Sequence, residues 1–239
     1  MKIGVKTFDD PNFLKHFENK ADFFEIMAIR GKNYSFLKKF SLPFVIHIEH
    51  QNFGINIADK TKQKINLGSV NHAVKIADRV NSKRLILHPG IIENKSCSIG
   101  NSLSFLDGLD KRIIMENIPF RDKGKRSLCS TPEETKEFLK ETGRKLCFDV
   151  NHCIESSSFL KKDNLYFVKK FLELNPVHFH IGGQKMTKPL ESHLSFKNSN
   201  FDFKDILKLY PKNAEITLET ETDIEKVDYD LEFIRGIVD

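Results

Sequence analysis

The sequence predicts an α/β chain closed into a (β/α)₈ TIM barrel, and three observations predict it. Eight short apolar runs alternate with eight helix-like stretches along the 239 residues. Nearly every run ends in an acid or a histidine and passes straight into a loop. No linker, low-complexity segment or change of pattern divides the series, so residues 1–239 are expected to form one domain.

Lys2–Thr7 reads as the first strand, and Asp10-Pro11 opens a short helix over Pro11–Glu18 with an N-cap followed by proline. Phe23–Ala28 is the second strand and Asn33–Phe40 the second helix. Phe44–Ile48 is the third strand, ending in Glu49-His50. Lys60–Asn81 is a long helix, with Ile65, Val70, Ala73, Val74, Ile76 and Ala77 as its apolar stripe. Arg84–Leu87 is the fourth strand and lands on His88-Pro89-Gly90; the next helix falls within Ile99–Leu109.

Arg112–Met115, the fifth strand, ends in Glu116-Asn117. Thr131-Pro132-Glu133-Glu134 supplies cap, proline and first-turn acids for a helix running to about Thr142. Leu146–Phe148 ends the sixth strand, which runs into Asp149 and, three residues on, a loop residue, His152. Asp163–Leu174 is helical, Val177–Ile181 the seventh strand, Phe203–Tyr210 helical, Glu215–Leu218 the eighth strand, and Asp223–Ile237 the closing helix.

The composition bounds the setting. No apolar run approaches a membrane span, and a strand beginning at Met1-Lys2-Ile3 leaves no room for a signal peptide. Cys97, Cys129, Cys147 and Cys153 show no CxxC pairing, which suits reduced thiols in a cytoplasm. A net charge of +5 is compatible with a polyanionic partner and equally with a solvated basic surface. A monomer is expected.

Barrel active sites lie at the C-terminal ends of the strands. Those ends carry His50, His88, Glu116, Asp149 with His152, His180 and Glu219, and the loop after strand seven adds Glu191 and His193. Converging carboxylates repel one another and cost several kcal/mol each when desolvated unpaired. Bound cations resolve this, and imidazole with carboxylate suits Zn²⁺, or Mn²⁺ where oxygen dominates. Nine ligands exceed what one ion uses, so two or three ions are expected, an arrangement suited to displacement at phosphorus.

Several pieces, in order along nearly the whole chain, resemble endonuclease IV, the abasic-site endonuclease family, within the xylose-isomerase-like barrels. They are His50-Gln51-Asn52-Phe53-Gly54-Ile55-Asn56-Ile57, Leu87-His88-Pro89-Gly90, Met115-Glu116-Asn117 and Cys147-Phe148-Asp149-Val150-Asn151-His152. Phe179-His180-Ile181, Glu191-Ser192-His193 and Leu218-Glu219-Thr220 complete the set. The resemblance implies a three-zinc site, with His50, His88 and Glu116 on the first ion. Glu116, Asp149, His180 and Glu219 would hold the second, and His152, Glu191 and His193 the third. It implies incision of DNA 5′ to abasic sites, with Glu116, Asp149 and Glu219 as the central catalytic carboxylates.

The chain departs from that family in places. Glu191 stands where the family usually has Asp, and Gly182-Gly183 where an Asn-Asp pair is common. Gly54 removes half of the family's apolar wedge and leaves Phe53. Arg30 is the counterpart of an intercalating arginine or a plain surface residue. Lys185, Lys188 and the basic loop Arg121–Arg126 are phosphate grips or solvated charges.

The competing reading is a sugar isomerase or epimerase of the same barrel group. It resembles this chain at Glu116, Asp149, His180 and Glu219, holding one divalent ion, and at Glu25. His50, His88, Glu191 and His193 have no task in a one-metal isomerase. A non-catalytic barrel would predict decayed ligands, and all nine positions retain coordinating side chains. His47 reads as a hydrogen-bonded core residue, His178 as a neighbour or substrate contact of His180, and His16 and His72 as surface residues.

Overall fold

Side chains alternate along a strand, so in a closed barrel every second residue faces the interior. A computed structural model, describing residues 1–121, 124–187 and 190–238, contains the eight expected strands as a closed parallel barrel. They are β1 (Lys2–Thr7), β2 (Phe23–Ala28), β3 (Phe44–Ile48), β4 (Leu85–Leu87), β5 (Ile113–Glu116), β6 (Leu146–Asp149), β7 (His178–Ile181) and β8 (Glu215–Leu218). Each pairs with its neighbour in chain order, and β1 closes on β8 with Lys2 opposite Glu215 and Val5 opposite Leu218.

The outward residues, among them Ile26, Ile46, Leu85, Met115, Phe148 and Ile181, join the main core beneath the helices. Fully burying such a side chain stabilises by about 1.5–3 kcal/mol. Inside the barrel, Phe23, Val45, Ile86, Ile114 and Cys147 form a separate apolar layer. Two residues further along each strand the inward position turns polar. The eight strands bring Lys6, Glu25, His47, His88, Glu116, Asp149, His180 and Glu219 to one level, with His88 and Glu219 just past their strand ends.

The helices α1 (Pro11–Phe17), α2 (Gln63–Arg79), α3 (Ile99–Leu106), α4 (Pro132–Thr142), α5 (Val150–Phe159), α6 (Asn164–Leu172), α7 (Lys204–Leu207) and α8 (Ile224–Val238) accompany the strands. Asp10 caps α1 and Thr131 caps α4, each before the expected proline. Three expectations change. Asn33–Phe40 contains only a 3₁₀ turn at Ser35–Lys39, and Lys60–Lys62 is a 3₁₀ turn ahead of α2. The residues after β6 form α5 at once, so His152 lies in a first helical turn and not in a loop.

Two short ribbons decorate the mouth, Ile91–Ile92 with Arg126–Ser127 and Gly183–Lys185 with Glu191–Leu194. The basic loop after β5 and the segment holding Lys188 lie partly outside the described residues. All four cysteines are buried free thiols. Among the described residues, no helix is long and apolar enough to cross a membrane.

Candidate metal centre

Asp149 shows how the backbone builds this site. Its Oδ1 accepts the His152 backbone N–H at 2.8 Å and caps α5, which fixes the carboxylate. Its Oδ2 has no hydrogen-bond partner and faces His180 Nδ1 at 3.9 Å. One oxygen serves the fold and the other remains for the centre.

Of the other buried atoms that share that condition, three belong to the residues around it: Glu116 Oε1, Glu219 Oε2 and His180 Nδ1. His180 Nδ1 stands 2.6 Å from Glu219 Oε2 and 3.5 Å from Glu116 Oε1, without hydrogen-bond geometry. Glu116, Asp149, His180 and Glu219 each offer a ligand atom within 4.8 Å of the others. Buried polar atoms are almost always partnered, so four orphans converging on one point fit a cation. Three carboxylates and an imidazole are a donor set for Zn²⁺ or Mn²⁺.

Four further groups among the described residues share a ligand with this one, and two of them add a pair of histidines to a shared carboxylate. His47, His88 and Glu116 form the first. His47 Nδ1 donates to the Ile48 carbonyl at 2.7 Å, and His88 Nδ1 bonds Gln51 Oε1 at 3.0 Å. Their Nε2 atoms therefore face Glu116 Oε2, at 3.0 and 3.3 Å. Neutral imidazoles would turn lone pairs on that carboxylate, an arrangement that a cation between them relieves. Burial, with smaller contributions from neighbouring histidines, pushes His88 down to about 4 despite Glu116, so it stays in the neutral, ligating form.

Asp149, His152 and His193 form the other group. His152 Nδ1 donates to Asn117 O at 2.9 Å and His193 Nδ1 to Glu219 O at 3.2 Å. Their Nε2 atoms then meet head-on at 3.2 Å, where a shared proton or a cation must sit. Burial alone would lower His152, but Asp149 and Glu116 raise it to about 10. His193 is held at φ +57°, a conformation costing about 1–3 kcal/mol in a non-glycine residue. Such strain concentrates at sites where position matters more than stability.

The remaining sequence candidates are distributed as follows. His50 stacks on the His88 ring at 5.0 Å and lies beside, not within, the ligand groups of the described residues. Burial and the adjacent His88 and His47 push it down to about 2, so it too is neutral. Glu191 is half-exposed and lies 3.8 Å from Lys185, outside those groups. Arg30 pairs with buried Glu49 at 2.5 Å and reaches the Phe53 carbonyl at 3.4 Å. Phe53 is half-buried, and Gly54, at φ +82°, closes its turn.

Inspection of strand ends alone misses three residues of the polar ring: Lys6, Glu25 and His47. Their signal in the sequence is parity, since each lies two residues beyond an inward residue of its strand. Glu25 Oε2 receives Thr217 Oγ1 at 2.8 Å, His180 Nε2 at 2.9 Å and His178 Nε2 at 3.2 Å. His178 thus positions Glu25. His16 bonds Asp228 at 2.6 Å, and His72 lies half-buried against Tyr34.

The centre opens into a cavity of about 380 Å³ lined by His50, His88, His152, His193, Glu219 and Arg121, among others. That is at the small end for a ligand pocket.

No protein-family model matches the chain. Uncharacterized protein MJ1614 of Methanocaldococcus jannaschii is 24% identical over 236 residues, covering 86% of this chain and 89% of the relative. A D-tagatose 3-epimerase-like protein superposes at a TM-score of 0.75 with 21% identity, over 100% of this chain and 97% of the other. Endonuclease IV from Thermus thermophilus superposes at 0.77 with 15% identity, over 100% and 99%. The fold is that of the xylose-isomerase-like TIM barrels, which an endonuclease and an epimerase-like protein share.

Proposed function

We propose that the chain is a divalent-metal-dependent enzyme that cleaves phosphodiester bonds, with DNA containing an abasic sugar as its substrate. The observation that carries this reading is the extension of the ligand set. Glu116 and Asp149 link the central four-ligand group to His47 and His88 on one side and to His152 and His193 on the other. A single-ion sugar epimerase needs only the central group.

Glu116, Asp149, His180 and Glu219 would hold one ion, His47 and His88 would share Glu116 with a second, and His152 and His193 would share Asp149 with a third. Bound there, zinc or manganese supplies Lewis acidity toward a phosphoryl oxygen and lowers the pKa of water. The protein's own part is to hold the ligands and to limit access. A cavity of about 380 Å³ admits one extruded sugar-phosphate and excludes a stacked base pair. Arg121 lines that cavity, and an arginine there suits a flanking phosphate. With Gly54 behind it, Phe53 alone would press on the base stack, steadied through its carbonyl by Arg30. Lys185, already beside Glu191, would contribute charge at the rim.

The second reading, a ketose epimerase, is favoured by the full-length likeness to the D-tagatose 3-epimerase-like protein. It requires Glu116 and Glu219 to pass protons. Glu219 Oε1 is ion-paired to Lys6 at 2.8 Å, which holds the carboxylate anionic and makes it a weak base.

The test is cleavage of an end-labelled duplex with one tetrahydrofuran abasic analogue by zinc- or manganese-loaded protein, with His88→Ala as control. Incision 5′ to the lesion that disappears in the variant is the expected result. Intact duplex together with epimerisation of a ketohexose would replace the first reading by the second.

A further inference from the structure

Lys6 is the one lysine in the polar ring, and its surroundings are unusual for that residue. The side chain is 9% exposed, with Nζ 2.8 Å from Glu219 Oε1 and 3.1 Å from Glu25 Oε1. Burial opposes a charge there, and the two carboxylates beside it offset that cost. A positive charge therefore sits between two carboxylates, Glu25 and Glu219.

Beneath it lies a ligand group that the proposed chemistry does not use. Glu25, His178 and His180 offer ligand atoms within 4.8 Å of one another, and His178 Nδ1 is buried without a hydrogen-bond partner. By composition, one carboxylate and two imidazoles would accept a divalent ion. Both Glu25 oxygens already face partners: Oε1 stands 3.1 Å from Lys6 Nζ, an ion pair without hydrogen-bond geometry, and Oε2 accepts from Thr217, His178 and His180. Lys6 acts likewise on Glu219, whose Oε1 it occupies and whose Oε2 alone is left to face His180.

We propose that Lys6 is a resident cation of the centre: its ammonium fills the position between Glu25 and Glu219, limits Glu219 to one ligand oxygen, and keeps a divalent ion out of the Glu25–His178–His180 group. This inference rests on the metal-binding part of the proposed function and is independent of the reaction catalysed.

The experiment counts ions. Wild-type, Lys6→Met and Lys6→Arg proteins are stripped with chelator, reloaded with zinc chloride, dialysed and assayed for zinc per chain by elemental analysis. Folding is checked by circular dichroism. Lys6→Met is expected to take up one more zinc than wild type, and Lys6→Arg, which keeps the charge, the wild-type number. Adding Glu25→Gln to Lys6→Met should return the count to the wild-type value. If Lys6→Met does not fold, Lys6→Gln, which retains hydrogen-bond donors, carries the same expectation. A folded, neutral Lys6 variant with the wild-type zinc count would overturn the role given to Lys6 and leave the metal centre standing. A wild-type protein that binds no zinc would overturn both.

Discussion

Gly182, immediately after β7, is where a single methyl group should disturb the proposed centre most. A Cβ there would lie 2.5 Å from the Glu219 carbonyl oxygen and 3.0 Å from His193 Cα. Both obstacles are backbone, so neither can rotate away. Carbon–oxygen contacts settle at about 3.3–3.6 Å, so Gly182→Ala must push the strands apart by roughly 1 Å. Overpacking of this kind costs about 1–3 kcal/mol. At about 2–4 °C per kcal/mol for a chain of this size, the midpoint should fall by about 2–12 °C. The displaced carbonyl is also the acceptor for His193 Nδ1. Losing the partner that orients a ligating histidine typically costs about 10–100-fold in metal affinity. Thermal unfolding of metal-free protein and calorimetric zinc titration would measure the two effects separately. A variant matching wild type in both would refute the reasoning that the missing side chain of Gly182 is what lets Glu219 and His193 approach.

Asn151 holds the same turn from the other side, donating to Gly182 O at 3.0 Å and Gln184 Oε1 at 2.8 Å and accepting from Gly182 N at 2.7 Å. Asn151→Ala should cost about 2–4 kcal/mol by leaving buried backbone groups unpaired, read as a lower urea midpoint at unchanged m-value. Zinc held at about 1,000 times its Kd should stabilise the protein by about 4 kcal/mol, so chelator should lower the melting point by about 8–16 °C; an unchanged melt would count against resident ions. His152 gives a pH dependence. Buried, yet raised to about 10 by Asp149 and Glu116, its proton stabilises metal-free protein fully below about 6.5, the unfolded value, and that stability is lost as pH rises through about 10. Zinc-loaded protein, in which the ion replaces the proton, should lack this alkaline decline, and melts of both forms across pH 6–10 would show whether it does.

The order of strands is legible because each apolar run is long enough to register and ends abruptly in a polar residue. The inward register is harder to see. Taking the residue at each strand end finds His88, Glu116, Asp149, His180 and Glu219, but overlooks Lys6, Glu25 and His47, which sit inside longer strands. His47 reads from the sequence as a core histidine, and it is one: buried and hydrogen-bonded to Ile48, yet with its second nitrogen on Glu116. The two roles exclude each other only if a side chain has one polar atom. Asp149 repeats the lesson, capping a helix with one oxygen and facing the centre with the other. The helix α5 is hidden because its residues, including Ser156, Ser157 and Ser158, carry little apolar periodicity. The ribbon bearing Glu191 and His193 pairs two segments that are near in sequence, Gly183–Lys185 and Glu191–Leu194, but their short polar strands carry no apolar alternation to announce it.

Asn117 spans β5 and β6 with its side chain, donating to Asp149 O and accepting from Asp149 N, each at 2.8 Å. Its own carbonyl accepts a hydrogen bond from His152 Nδ1. The amide thus extends the sheet by one rung at the height where the strands would otherwise splay. Below this rung the geometry is locked to the barrel frame; above it the ribbon after β7 still carries His193, while the described residues of the loop after β5 carry none of the grouped ligands. That loop can therefore lengthen, shorten or change charge while the ions stay in register, and selection can revise the substrate there without rebuilding the chemistry beneath it.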